Sequence, residues 1–245
     1  MKVQLIGKSQ CDFPMDDINS DDIIVTALSQ CYKEKFDMNE LSQMTAESKK
    51  KLELAVVKSG HESVIEHVSF TFLIEGVSRA LTHQLVRHRI ASFSQKSGRY
   101  TKVDDSTEWY VVPKSISKNP KALEIYVNEM KNISEAYSKL MADCGIPAED
   151  ARFLMPNGQT TNIVVTMNCR TLKNFFAHRI CNRAQWEIRE LAQEMANICK
   201  EEMPTLFEDA KFGYAKCDQL GYCPESKHHT CKRKKRLEDL IGNNG

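Results

Sequence analysis

The densest chemistry in the chain lies at residues 87–100, Arg-His-Arg-Ile-Ala-Ser-Phe-Ser-Gln-Lys-Ser-Gly-Arg-Tyr. Arg87, His88 and Arg89 are consecutive, so at a helix end they fan out by ~100° each and cannot all face one partner. Gln84 stands three residues before Arg87 and four before His88, which puts those three on one helical face. A guanidinium grips phosphate or carboxylate through two parallel hydrogen bonds. Ser97-Gly98-Arg99 adds a hydroxyl, another guanidinium, and a glycine whose bare backbone can approach an anion closely. The segment reads as an anion cradle; the plainer alternative is a solvated helix end followed by a polar loop.

A second constellation runs from Asn168 to Arg179, Asn-Cys-Arg-Thr-Leu-Lys-Asn-Phe-Phe-Ala-His-Arg. Arg170, Asn174 and His178 recur every four residues and form one polar line on a helix. Leu172, Phe175 and Phe176 fall on the other side as core. An ordinary amphipathic helix would show the same pattern. His61, Glu62, Glu66 and His67 lack the His-Glu-x-x-His spacing of a zinc helix, so no metal is assigned there.

Arg-His-Arg, seven residues, then Ser-x-Arg resembles the signature of the flavin-dependent thymidylate synthases, here Arg87-His88-Arg89 and Ser97-Gly98-Arg99. The segment that ends in Arg179, followed by Gln185-Trp186-Glu187, is similar to a second family segment. The resemblance spans roughly residues 1–215 and implies reductive methylation of dUMP to dTMP. It implies methylenetetrahydrofolate as one-carbon donor, FAD as hydride carrier, and NADPH as the reductant of the flavin. By the same resemblance Arg87, His88, Arg89, Gln95, Asn168, Arg170 and Asn174 hold flavin. Ser63 matches a flavin-contacting hydroxyl, although Ser63 with Glu66 equally fits a helix capping box. Gln84, Leu85, Val86 and Arg87 would hold dUMP, together with Gln95, Lys96, Ser97, Gly98 and Arg99 of a neighbouring subunit. Arg152 matches a further dUMP-binding Arg, and Arg179 matches the residue that favours ionisation of the uracil ring, the one catalytic residue assigned. The family often has Glu at the place of Gln95; Gln keeps the hydrogen-bonding shape and loses the charge. The family is understood to work without an enzyme nucleophile, and no Cys here stands in an activated context. The resemblance also implies a homotetramer with active sites at subunit interfaces.

Elements to position these residues can be read from periodicity. Residues 2–6 alternate as a short strand, and Asp21 or Asp22 can cap a helix through Ile24, Ala27, Leu28 and Cys31. A helix over about 45–58 ends at Gly60. Val68–Ile74 alternates as a strand that Gly76 ends, and a helix starts at about Val77. Residues 107–112 and Thr160–Asn168 read as strands, and 120–143, 170–180 and 184–202 as helices, the last stopped by Pro204. Helices surround a few strands without regular βαβ alternation. The fold class is therefore α+β, a small mixed or antiparallel sheet flanked by helices in a single domain.

The chain has 245 residues, a net charge of +1 and 27% charged residues. Such a balance gives no global field for steering nucleic acid, so an anion site must be local. No apolar run reaches the length of a membrane span, and the N-terminus lacks the apolar core of a signal peptide. A cytoplasmic location is expected, with nine cysteines mostly reduced. Residues 216–245 stand apart as a Cys/His-rich basic tail carrying Cys217, Cys223, His228, His229, Cys231 and the run 232–236. Its spacings are not those of common zinc motifs, so a flexible tail or subunit contact is expected.

Overall fold

The computed structural model describes residues 1–12, 18–35, 37–99, 109–225 and 231–241. Its strands are β1 (Lys2–Lys8), β2 (Ser69–Ser78), β3 (Ser92–Gln95) and β4 (Thr160–Asn168), ordered β1-β2-β4-β3 in one sheet. The helices are α1 (Ser20–Tyr32), α2 (Met38–Gln43), α3 (Ala46–Ser59), α4 (Arg79–Leu85), α5 (Lys114–Ser117) and α6 (Pro120–Ala142). They continue as α7 (Ala148–Ala151), α8 (Cys169–Arg179), α9 (Trp186–Glu202), α10 (Lys216–Leu220) and α11 (Leu237–Ile241). The α+β class expected from the sequence is the one observed. The chain divides into two compact units that interleave in sequence: 1–2, 73–87 and 93–164 form the first, and 3–72, 88–92 and 165–245 the second.

In the first unit, β4 begins with strict alternation that buries Thr161 and Ile163. Ile74 and Val77 of β2 and Leu81 and Leu85 of α4 are fully buried beside it in this unit's core. Gly76 does not end β2, contrary to expectation. It takes φ 69°, a left-handed conformation open to glycine, and its N–H donates to the Asn162 side chain at 3.1 Å. The strand runs on to Ser78, whose hydroxyl accepts from Leu81 N at 3.0 Å and starts α4 at Arg79. The strand expected at 107–112 reduces, within the described residues, to a single bridge between Tyr110 and Gln159. Asn119 caps α6, with Pro120 at its first position, where a missing N–H costs nothing.

In the second unit, Asn19 rather than Asp21 or Asp22 caps α1. Its side chain accepts from Asp21 N at 2.8 Å, while Asp22 accepts from Asn19 N at 2.8 Å, a reciprocal box. Gly60 closes α3 at φ 73°. The core is aromatic: Phe70, Phe176 and Phe207 pack edge to face, with centroids 5.8 Å (Phe70–Phe207) and 6.0 Å (Phe176–Phe207) apart. Each buried ring contributes about 1.5–3 kcal/mol. Pro204 ends α9, and one π-helical turn, Thr205–Asp209, carries Phe207 into this cluster.

The described part of the tail is folded, where the sequence suggested a flexible tail or a subunit contact. Cys217 and Cys223 are buried. Arg233 pairs with Asp218 at 2.5 Å and donates to the Ile180 carbonyl at 3.4 Å, and Arg183 pairs with Glu225 at 2.5 Å. Apolar burial at two sites and two contacts to residues outside the tail, at Ile180 and Arg183, anchor it. His228 and His229 lie outside the described residues. Among the described residues no helix is long and apolar enough to cross a membrane, and no three His, Cys, Asp or Glu donors are grouped to hold a metal.

Candidate active site

The first unit carries the Ser-Gly-Arg loop. β3, to which the sequence reading assigned no element, is an edge strand that sets where this loop begins. Gln95, at its end, donates its side-chain amide to Thr82 Oγ1 at 2.9 Å and Thr161 Oγ1 at 3.4 Å. A Glu in this position could only accept from those hydroxyls, so Gln reverses the bond direction and keeps the contact. The Lys96 N–H donates to the Asn162 carbonyl at 2.9 Å, and its own carbonyl accepts from Arg79 Nη2 at 2.8 Å. The Lys96 side chain is exposed. Ser97 Oγ accepts from Arg99 N at 3.2 Å, tightening the turn around Gly98.

Gly98 is packed closely. A β-carbon there would stand 3.3 Å from Arg152 Cδ, 3.8 Å from Arg152 Nη1 and 3.9 Å from Arg79 Nη2. Arg152 is held by its Nε donating to the Glu149 carbonyl at 3.1 Å. Arg99 grips the Glu149 carboxylate through Nε and Nη2, both at 2.9 Å. Arg79 was not picked out from the sequence, because an Arg at a helix start shows no motif of its own. Burial and the neighbouring Arg152 charge lower its pKa. Two like charges held beside a close-packed backbone are stabilised by an anion between them.

α4 stops at Leu85, and Arg87 lies on the turn beyond it. The shared helical face of Gln84, Arg87 and His88 expected from spacing is therefore absent. Leu85 is fully buried, which anchors the turn, whereas Val86 and Arg87 are exposed and Gln84 is half-buried, with Nε2 donating to Ala80 O at 3.3 Å.

The second unit carries His88, Arg89, Ser63 and the α8 residues. Asn168 caps α8 by accepting from Thr171 N at 2.9 Å. Arg170, Asn174 and His178 lie on one exposed line, with Leu172, Phe175 and Phe176 buried opposite, as read from spacing. Arg170 bonds the Glu66 carboxylate, and Glu62 bonds Lys173. Ser63 and Glu66 do not form a capping box: the 3-10 turn Glu62–His67 has no side-chain cap, and Glu66 is engaged by Arg170 instead. Ser63 and Arg89 are exposed.

Arg179, at the last turn of α8, donates its Nε–H to His88 Nε2 at 3.1 Å. The His88 ring meets the edge of Phe175 at 5.0 Å and 85°. Burial, then the Arg179 and His178 charges, push the His88 pKa down to about 4, so the ring is neutral at pH 7. Burial also lowers the Arg179 pKa. Cys169, the first residue of α8, is fully buried and its thiol is pushed well above the usual range by desolvation, which makes it a poor nucleophile.

Residues 15–205 match the family described as thymidylate synthase complementing protein. The chain belongs to that family. Among its relatives, the flavin-dependent thymidylate synthase of Nitratidesulfovibrio vulgaris is 53% identical over 186 residues, 73% of this chain and 74% of the relative. That of Clostridium tetani is 44% identical over 223 residues, 84% of this chain and 87% of the relative. A crystal structure of the Helicobacter pylori flavin-dependent thymidylate synthase, complexed with FAD and dUMP, superposes with TM-score 0.65 and 26% identity. It covers 85% of this chain and 99% of that one. The UMP/dUMP methylase of Streptomyces cacaoi shares the fold, with TM-score 0.71 and 23% identity over 86% of this chain and 94% of that one. Both constellations, residues 87–100 and 168–179, fall inside the matched span.

Proposed function

We propose that this chain methylates dUMP reductively to dTMP, with FAD as cofactor, methylenetetrahydrofolate as one-carbon donor and NADPH as reductant of the flavin. The observation that carries the dUMP part is the Gly98 loop, whose backbone packs against the Arg79 and Arg152 guanidiniums. A nucleotide phosphate is the anion that such a cradle fits. Gln84, Leu85, Val86, Arg87, Gln95, Lys96, Ser97, Gly98, Arg99 and Arg152 bind dUMP in this reading, and Arg79 joins them.

Ser63, Arg87, His88, Arg89, Gln95, Asn168, Arg170 and Asn174 hold the flavin. The donor set suits it: exposed guanidiniums for the diphosphate and amides for the polar ring edge. Bound there and reduced by NADPH, the flavin would supply the hydride that completes the methyl group. Arg179 places a fixed positive charge where negative charge develops on the uracil ring, and this polarises C5–C6 for attack on the one-carbon unit. The buried Cys169 supports a route without an enzyme thiolate.

Residues 1–215 form the catalytic part in this reading, and residues 216–245 an appendage. The family assignment supports a homotetramer with active sites at subunit interfaces and a cytoplasmic location. The test is anaerobic incubation of flavin-stripped enzyme with dUMP, methylenetetrahydrofolate and NADPH, with and without FAD. dTMP formed only with FAD is the expected result; no dTMP from protein that binds both FAD and dUMP sinks the reading.

A further inference from the structure

Three arginines of the proposed site are tethered in two different ways. Arg99 is held by the carboxylate of Glu149 and Arg170 by that of Glu66, so each carries a compensating negative charge. The Arg179 side chain is held by His88 Nε2 at 3.1 Å, its only side-chain hydrogen bond among the described residues. An arginine cannot accept, so the bond requires a lone pair on His88 Nε2 and puts the imidazole proton on Nδ1. The ring is fixed edge-on against Phe175. The bond uses Nε alone, which leaves the two terminal nitrogens of Arg179 as a planar fork.

We infer that His88 is a positioning residue for Arg179: its neutral imidazole aims the guanidinium fork at the uracil without neutralising the charge. A carboxylate in that place would hold Arg179 as firmly and would cancel the field that the reaction uses. The charged groups facing the ring, Arg179 and His178, together with its burial, keep it neutral, with a pKa of about 4. Among the described residues none accepts from Nδ1. The inference rests on the reading of Arg179 as the uracil-activating residue.

His88→Phe keeps the ring and removes the acceptor; His88→Gln supplies a carbonyl that can accept from Nε. With flavin Kd measured for each variant and turnover read at saturating FAD, His88→Phe is expected to lose about tenfold in kcat, the scale of one hydrogen bond to a charged group. His88→Gln is expected to recover most of it. In an Arg179→Ala background the same His88→Phe change is expected to have no further effect. Full kcat for His88→Phe once FAD is saturating would make His88 a flavin ligand only and overturn the inference. An undiminished cost of His88→Phe in the Arg179→Ala background would overturn it as well. Wild-type kcat in Arg179→Ala alone would instead remove the reading of Arg179 on which it stands. Matching thermal unfolding of the variants excludes misfolding as the cause.

Discussion

Gly98 and Arg152 are packed so closely that a β-carbon on residue 98 would stand 3.3 Å from Arg152 Cδ. That separation is tighter than ordinary van der Waals contact, and Arg152 is tied back by its bond to the Glu149 carbonyl at 3.1 Å. Gly98→Ala therefore shifts the guanidinium while leaving the fold intact. A several-fold rise in KM for dUMP, with Tm nearly unchanged, is the expected outcome. An unchanged KM would mean that the loop does not bear on the nucleotide.

Arg79 donates to the Lys96 carbonyl at 2.8 Å and lies beside Arg152. Its removal costs the nucleotide a charge-assisted contact. Arg79→Gln is expected to weaken dUMP binding by about 10- to 100-fold, from roughly 1.5–3 kcal/mol per hydrogen bond to a charged group. Binding of deoxyuridine, which has no phosphate, should change far less. Equal losses for both ligands, measured by calorimetry, would remove Arg79 from the phosphate site.

Arg179→Ala is expected to lower kcat by ~10²–10³, the scale for deleting one donor at a developing charge. Stopped turnover with normal dUMP affinity would place the loss in the transition state. Near-normal kcat in a folded variant would take Arg179 off the catalytic list.

Cys169→Ser should remain active, because a buried, desolvated thiol is not available as a thiolate. Complete loss of turnover in folded protein would reopen a thiol mechanism.

Glu53 sits 1% exposed, with Asp21, Asp22 and Lys49 as its charged neighbours. Burial first, then the Asp21 and Asp22 charges, raise its pKa from 4.5 to about 9. A carboxyl raised on folding binds a proton that the unfolded chain releases. Its contribution is therefore fully present below pH 4.5 and is lost as pH rises toward 9. The slope is up to about 1.4 kcal/mol per pH unit, or roughly 3 kcal/mol between the unfolded pKa and pH 7. Denaturant unfolding from pH 5 to 9 should show Glu53→Gln with a shallower fall than wild type. Parallel curves would mean that Glu53 is ionised in the folded protein.

Much of the fold was legible from local pattern. Thr160–Asn168 holds the β-rich run Ile163-Val164-Val165-Thr166, and the structure has β4 over those residues. The four-residue spacing of Arg170, Asn174 and His178 is the exposed line of α8, because helix geometry alone determines which residues share a face. Gly60 and Pro120 mark helix ends through their own backbone preferences. The Ser97-Gly98-Arg99 turn stood out as a candidate anion site, since residue types and short spacing carry that chemistry.

What sequence alone could not decide were the pairings across long separations. Arg179 with His88, Arg99 with Glu149 and Arg170 with Glu66 are 91, 50 and 104 residues apart. Nothing local distinguishes Glu149 or Glu66 from any surface carboxylate; the packed elements bring them within hydrogen-bond reach. The same holds for β3, four residues with no strong alternation that form a strand because β4 offers them an edge. It holds also for the described tail, where a basic, cysteine-rich composition reads as solvated until Cys217 and Cys223 are seen buried. Residue type and spacing determined what chemistry this chain can hold. Tertiary packing decided which partner aims each group, because hydrogen bonds and ion pairs depend on distance in space and not along the chain.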